Sequence, residues 1–182
     1  MAEATQANTS DAAVQAATGK KWDEWYAILD SAGARGMPHK EIAQWLADGA
    51  AVSDPMWCQW ITIAYEKQIG RRVTGQDCYG NFYATASKAV AGDLDSALDS
   101  WLRRVAGITD FNGLALAHAP KVSKSEKFRY WRAVFDDGST INVVINAKGQ
   151  GKCTVAIDHR KLADQEAVAA WKAYWKEFLA EA

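Results

Sequence analysis

The last third of the chain carries the pattern that most limits its fold. Lys127 to Phe135, Thr140 to Ala147 and Lys152 to His159 alternate in polarity with a period of two. Turn signals separate these runs, Asp137–Gly138 first and then Gly149 and Gly151, so they read as three antiparallel strands joined by hairpins. From Asp164 the period changes to that of a helix, with Val168, Trp171, Trp175, Phe178 and Leu179 on one stripe and Tyr174 at its edge. A sheet has an apolar face to cover and this helix has an apolar stripe to bury, so the helix is expected to lie across the meander. Whether the aromatic core between them is packed solid or left partly hollow decides which functions are open to it.

Upstream, Phe82 to Val90 reads as a strand, and Gly92–Asp93 starts a helix with Leu94, Ala97, Leu98, Trp101 and Leu102 on one face. Residues 107–118 offer only a short strand around Phe111. Residues 71–81, with Gly70, Gly75 and Gly80, read as a linker. Before it the pattern is helical in three pieces. The first, about Lys20 to Ser31, carries Trp22, Trp25, Ile28 and Leu29, and Gly33 and Gly36 end it. Pro38 suits the first turn of the second, with Ile42, Trp45 and Leu46, and Gly49 closes it. Asp54–Pro55 caps the third, whose expected stripe is Trp57, Trp60, Ile61, Ala64 and Gln68. The expected organisation is therefore α+β: a disordered tail over 1–18, a three-helix domain over 19–74, and a sheet-and-helix domain over 76–182.

Composition narrows the partners. Apolar residues make up 49% of the chain, enough for a folded core, and the formal net charge is −1 with both signs interspersed. No basic surplus supplies a footprint for nucleic acid, and neither a polybasic run nor a long apolar stretch addresses a membrane. The tail lacks the charged start and apolar block of a secretory signal. Cys58, Cys78 and Cys153 are odd in number and lack CxxC spacing, which fits a reduced, cytoplasmic chain. Five of the nine tryptophans fall in the helical half, more aromatic surface than a bundle of that size buries alone. That surplus is expected to dock on the sheet domain or to form a homodimer.

No catalytic or metal set assembles from the sequence. His39, His118 and His159 lack ligand spacing. Asp158 and His159 are adjacent on a strand and so point to opposite faces. Cys58 and Cys153 read as packed side chains, and Gly149–Gln150–Gly151 as a hairpin turn with no following helix to hold phosphate. Lys121, Lys124, Lys127, Arg129 and Arg132 form the densest positive stretch, as expected of a protected sheet edge.

The order strand, helix, meander and long helix, with the Trp131–Arg132 strand, the Asp137–Gly138–Ser139 turn, "GKCTVAIDH" and the closing "WKAYWKEFL", resembles the START-like proteins of the SRPBCC superfamily. Within it the chain is most similar to the branch named for the activator of the heat-shock-ninety ATPase. The first half, around "HKEIAQWLADG" and "MWCQWITIAYEKQIGRR", resembles a small bacterial helical domain of unknown function. The resemblance implies a helix-grip fold, a curved antiparallel sheet wrapping the long C-terminal helix, with a cavity between them in many members. The segment "VAGDLDSALDSWLRR" lacks the proline-containing turn of the branch, which implies a smaller entrance. The expected function is a non-enzymatic module binding a small apolar ligand or a protein partner. A co-chaperone or protein-interaction role is the alternative, ahead of a hydrolase or cyclase acting in the cavity. Tyr130, Arg132, Ile141, Val143, Trp171 and Trp175 are the expected cavity residues. No catalytic residue, metal or cofactor is expected.

Overall fold

Six α-helices and seven β-strands form within residues 9–50 and 52–180, which the computed structural model describes. They fall into two units divided in sequence between Thr74 and Gly75, each with its own hydrophobic cluster.

The first unit is helical: α1 (Asp11–Thr18), α2 (Trp22–Ser31), a short 3-10 turn (Ala34–Gly36), α3 (His39–Asp48) and α4 (Pro55–Gln68). Val14, Trp25, Leu29, Ile42, Leu46, Ile61 and Tyr65 fill its core. Helix α4 starts as expected, with the Asp54 carboxylate accepting from Met56 N–H and Pro55 in the first turn. Pro38 sits one place earlier than expected, as the residue preceding α3.

Two expectations are corrected here. Residues 11–18, read as part of a disordered tail, form α1, while residues 1–8 lie outside the described residues. Ser10 caps α1, Val14 is fully buried, and two indoles tie the segment down: Trp22 donates to the Thr9 carbonyl and Trp25 to Thr18 Oγ1. Among alanines, Val14 is the one large apolar residue and leaves no periodicity to detect, so this helix is held by side chains of the next one. In α4 the buried stripe is Cys58, Ile61, Thr62, Tyr65 and Glu66, rotated by about one residue from the one expected. Polar partners cause the rotation. Tyr65 Oη donates to Asp30 at 2.7 Å, and buried Glu66 accepts from Arg72 at 2.9 Å and from His39 at 3.0 Å. Trp57 and Trp60 consequently stand half-buried, their rings 4.8 Å apart edge to face.

The second unit contains β1 (Phe82–Ala91), α5 (Leu94–Val105), the two-residue strands β2 (Asp110–Phe111) and β3 (Leu114–Ala115), β4 (Lys121–Lys124), β5 (Phe128–Val134), β6 (Thr140–Gly149), β7 (Lys152–Leu162) and α6 (Gln165–Ala180). One antiparallel sheet has the order β1-β7-β6-β5-β4, with β2 and β3 paired separately. Helices α5 and α6 cover one face, α6 along β1 and β7 and α5 over β5 and β6. Gly75 lets the chain enter the sheet. Its φ is +83°, and a Cβ there would stand 2.5 Å from Val168 Cγ1.

The β5–β6 hairpin decides which face each side chain takes. A two-residue turn at Asp137–Gly138 would set Tyr130 and Arg132 beside Ile145 and Val143 on one face. The loop instead holds three residues, Asp136, Asp137 and Gly138, closed by Phe135 N–H to the Ser139 carbonyl at 3.0 Å, with Gly138 left-handed at φ +83°. The pairs become Trp131 with Val143, Ala133 with Ile141 and Arg132 with Asn142. One added residue moves the whole strand to the other face.

Candidate functional site

The sequence left open whether the covered face encloses a cavity. Trp131 and Ala133 from β5, Phe135 just past its end, Ile141, Val143 and Ile145 from β6, and Cys153, Val155, Ile157 and His159 from β7 point to that face and are buried. Helix α6 lowers Val168, Trp171, Trp175 and Leu179 onto them. Aromatic rings meet face and edge throughout this layer. Trp175 lies 5.7 Å from Phe111, Trp101 lies 5.6 Å from Trp131, and Trp171 lies 5.6 Å from Trp175 and 4.4 Å from His159. These are contact distances for rings, so the helix rests on the sheet through interlocked aromatics.

At the centre of that layer His159 and Ser139 are both wholly buried. Trp175 Nε1–H donates to His159 Nδ1 at 3.2 Å, which fixes Nδ1 as the acceptor. The neutral ring then carries its proton on Nε2 and donates to Ser139 Oγ at 2.9 Å. Burial pushes the imidazole down to about 4, opposed by the charge of Asp137. A serine nucleophile needs a histidine that accepts its proton, whereas this ring donates to the hydroxyl. The dyad is a polar pin between α6 and the sheet. Sequence reasoning placed Ser139 only in the Asp137–Gly138–Ser139 turn and gave it no partner, although the inward parity of His159 was legible.

A hydrolase or cyclase would need a second titratable group beside His159, and the nearest in sequence and on β5, Asp158 and Tyr130, lie on the opposite face. Asp158 instead accepts from Arg160 Nε at 2.6 Å. Among the expected cavity residues, Ile141, Val143, Trp171 and Trp175 do come together on the covered face. Tyr130 and Arg132 do not join them. They stand on the open face with Phe128 and Val134, each of the latter two 38% exposed. Arg132 lies over the Tyr130 ring at 4.3 Å and donates to Ser123 Oγ at 2.9 Å.

Strand register lays out the rest of the open face. One row runs Lys121, Arg132, Asn142, Asp158 and Thr85, and the next Ser123, Tyr130, Val144, Ala156 and Ser87. The middle strands contribute small or polar side chains, while aromatics and cations gather along β5. Beside them, on the helix side, Asp95 of α5 holds Arg129 (2.9 Å) and Lys124 (2.8 Å), and these cations keep its carboxyl well below the usual carboxylate range. Among the described residues β4 is an edge strand of the sheet, opposite β1, and all four of its residues are exposed.

In the helical unit the charged cluster is His39, Glu66, Arg71 and Arg72. The Glu66 carboxylate raises the His39 pKa, with a further contribution from Gln59 at 2.8 Å from Nε2. Arg71 donates to the carbonyls of Met37 and Arg35, so the cluster fastens the end of α4 to the start of α3. The same unit has a shallow open groove of about 440 Å³ lined by Ala27, Ile28, Ser31, Ala32 and Trp45. Cys58 and Cys153 are buried and Cys78 is exposed. Among the described residues no three His, Cys, Asp or Glu side chains gather as metal ligands, and no helix is long and apolar enough to cross a membrane.

No family model and no curated protein matches the chain. Among solved structures it matches the open form of the exocytosis-sensitive phosphoprotein pp63/parafusin, a phosphoglucomutase of Paramecium. The match is 15% identical, covers 68% of this chain and 26% of that one, and has a TM-score of 0.33. At that score the match carries no argument about fold or chemistry.

Proposed function

We propose that this chain is a non-enzymatic protein-interaction module whose working surface is the open face of the sheet around β5. The observation that carries this reading is the outward row Phe128, Tyr130, Arg132 and Val134, set against a covered face occupied by interlocked rings. Aromatic and arginine side chains together on an exposed surface are the usual anchors of protein contacts. The order strand, helix, meander and long aromatic helix supports a START-like, helix-grip reading of the second unit. In this reading the grip serves as a rigid support, and a small apolar ligand is not its cargo. Opposite-face placement of His159 from Tyr130 and Asp158 supports leaving out cavity chemistry.

The test compares wild type with Tyr130→Asp as bait in a bacterial lysate, alongside tryptophan fluorescence titration with fatty acids and sterols. A stoichiometric partner held by the wild type and lost by the variant is expected, with no saturable fluorescence change. Saturable binding of a small apolar ligand, or a partner indifferent to Tyr130, would overturn the reading.

A further inference from the structure

The outer edge of β4 is built to discriminate. Ser125 N–H donates to the Phe128 carbonyl at 2.9 Å, so Ser125 and Phe128 form a hydrogen-bonded pair. In an antiparallel ladder such pairs alternate with non-bonded ones. The register Lys121 with Arg132, Val122 with Trp131, Ser123 with Tyr130 and Lys124 with Arg129 then assigns the rest. Lys121 and Ser123 turn their backbone groups toward β5, and Val122 and Lys124 turn theirs outward.

Side chains add a chemical code to that edge. Lys121 and Ser123 point to the open face, beside Arg132 and Tyr130, while Val122, 45% exposed, points to the helix side. Residues 121–132 carry five cations against the single carboxylate of Glu126, in a chain whose net charge is −1. Among the described residues Asp95 pairs with Lys124 and Arg129. A strand laid along this edge would meet Lys121 and Arg132 on one side, and on the other Val122 with Lys124, whose charge Asp95 already engages. A second copy of β4 would bring lysine against lysine, so the cations reject self-pairing while leaving the edge open to an anionic strand.

We infer that β4 accepts an extended acidic segment of a protein partner as an added sixth strand, with carboxylates toward Lys121 and Arg132 and apolar side chains toward Val122. This rests on the interaction-module reading and names its partner chemistry. Backbone pairing supplies the hold and alternate side chains the selectivity, as in other strand-addition complexes. A polynucleotide would satisfy the cations but would leave the outward N–H and C=O groups of Val122 and Lys124 without a ladder.

The probe is a fluorescein-labelled peptide of four Glu-Val repeats, added to the full chain and followed by anisotropy and by amide hydrogen exchange. Binding should slow exchange at Val122 and Lys124, and raised salt should weaken it. Val122→Pro removes an N–H that the sheet does not use, so circular dichroism should be unchanged while affinity falls about tenfold or more. Lys121→Glu should lose about as much, and Lys172→Glu, equal in charge change but on α6 over β1 and β7, little. A Lys-Val peptide bound as well as the Glu-Val one, absence of protection at Val122 and Lys124, or tighter binding of an oligothymidylate would each overturn the inference. If the inference fails while the Tyr130-dependent partner persists in the lysate experiment, the acidic-strand assignment falls and the module reading stands. If that partner is absent too, both fall.

Discussion

Burying a neutral imidazole makes the sheet unit sensitive to acid in a calculable way. His159 is wholly buried, and its folded pKa lies at about 4, below the ordinary histidine value of 6.5. The folded value is the lower one, so between these limits the unfolded chain binds a proton that the folded chain refuses. Stability attributable to this site is therefore complete above about pH 6.5, falls as pH drops below it, and levels off below about pH 4. Over the full span between the two values the loss is about 3 kcal/mol. His39 has the opposite sign. Its pKa is raised, chiefly by Glu66, so its contribution is complete below the ordinary value of 6.5 and lost as pH rises through the folded value. The assay is urea unfolding from pH 7.5 to 4.5 for wild type, His159→Gln and His39→Gln, with the three histidines titrated by NMR. Glutamine at 159 keeps an acceptor for Trp175 and a donor for Ser139 but cannot titrate. The difference between wild type and His159→Gln should change by about 2.5 kcal/mol between pH 7.5 and 4.5, in favour of the variant at low pH. Parallel profiles, or a His159 resonance titrating near pH 6.5, would refute the reasoning.

Three further outcomes are expected. Gly75→Ala should destabilise the second unit by about 2 kcal/mol, because alanine is strained at φ +83° and its Cβ strikes Val168; Gly75→Ala with Val168→Ala should recover part of this in thermal unfolding. Arg72→Met should cost about 3 kcal/mol in urea unfolding by stripping buried Glu66 of its 2.9 Å partner, and an unchanged midpoint would show that His39 and Arg71 suffice. In a thiol-reagent assay one group, Cys78, should react in the native protein and three after unfolding, since burial raises the Cys58 and Cys153 thiols and each is bonded to a carbonyl.

Much of the fold was legible because its signals are local. The period-two runs, the glycine turns and the Asp54–Pro55 and Gly92–Asp93 helix starts each depend on a few neighbouring residues, and each element formed where they point. What stayed hidden depends on partners distant in sequence. Helix α1 exists because Trp22 and Trp25 reach back to Thr9 and Thr18. The α4 stripe is turned by Asp30, His39 and Arg72, which lie outside that helix. Strand β4 has too few alternating positions to register as a strand, and only pairing with β5 makes it one.

The candidate site shows how little separates two functional readings. Both faces of β5 carry large residues and an arginine, so parity divides them without saying which is inside. A two-residue turn would have placed Tyr130 and Arg132 with Ile145 and Val143, making an arginine the polar group of an apolar interior. The extra residue closed by left-handed Gly138 sends Trp131 and Phe135 inside, where they meet Trp101, Phe111, His159 and Trp171. Arg132 is thereby spared the cost of burying an unpaired charge. It stands instead beside Tyr130, Ser123 and Lys121 at a sheet edge, where its charge remains available to a partner. Turn length at residues 136–138 thus fixes at once how the core packs and which chemistry the surface presents.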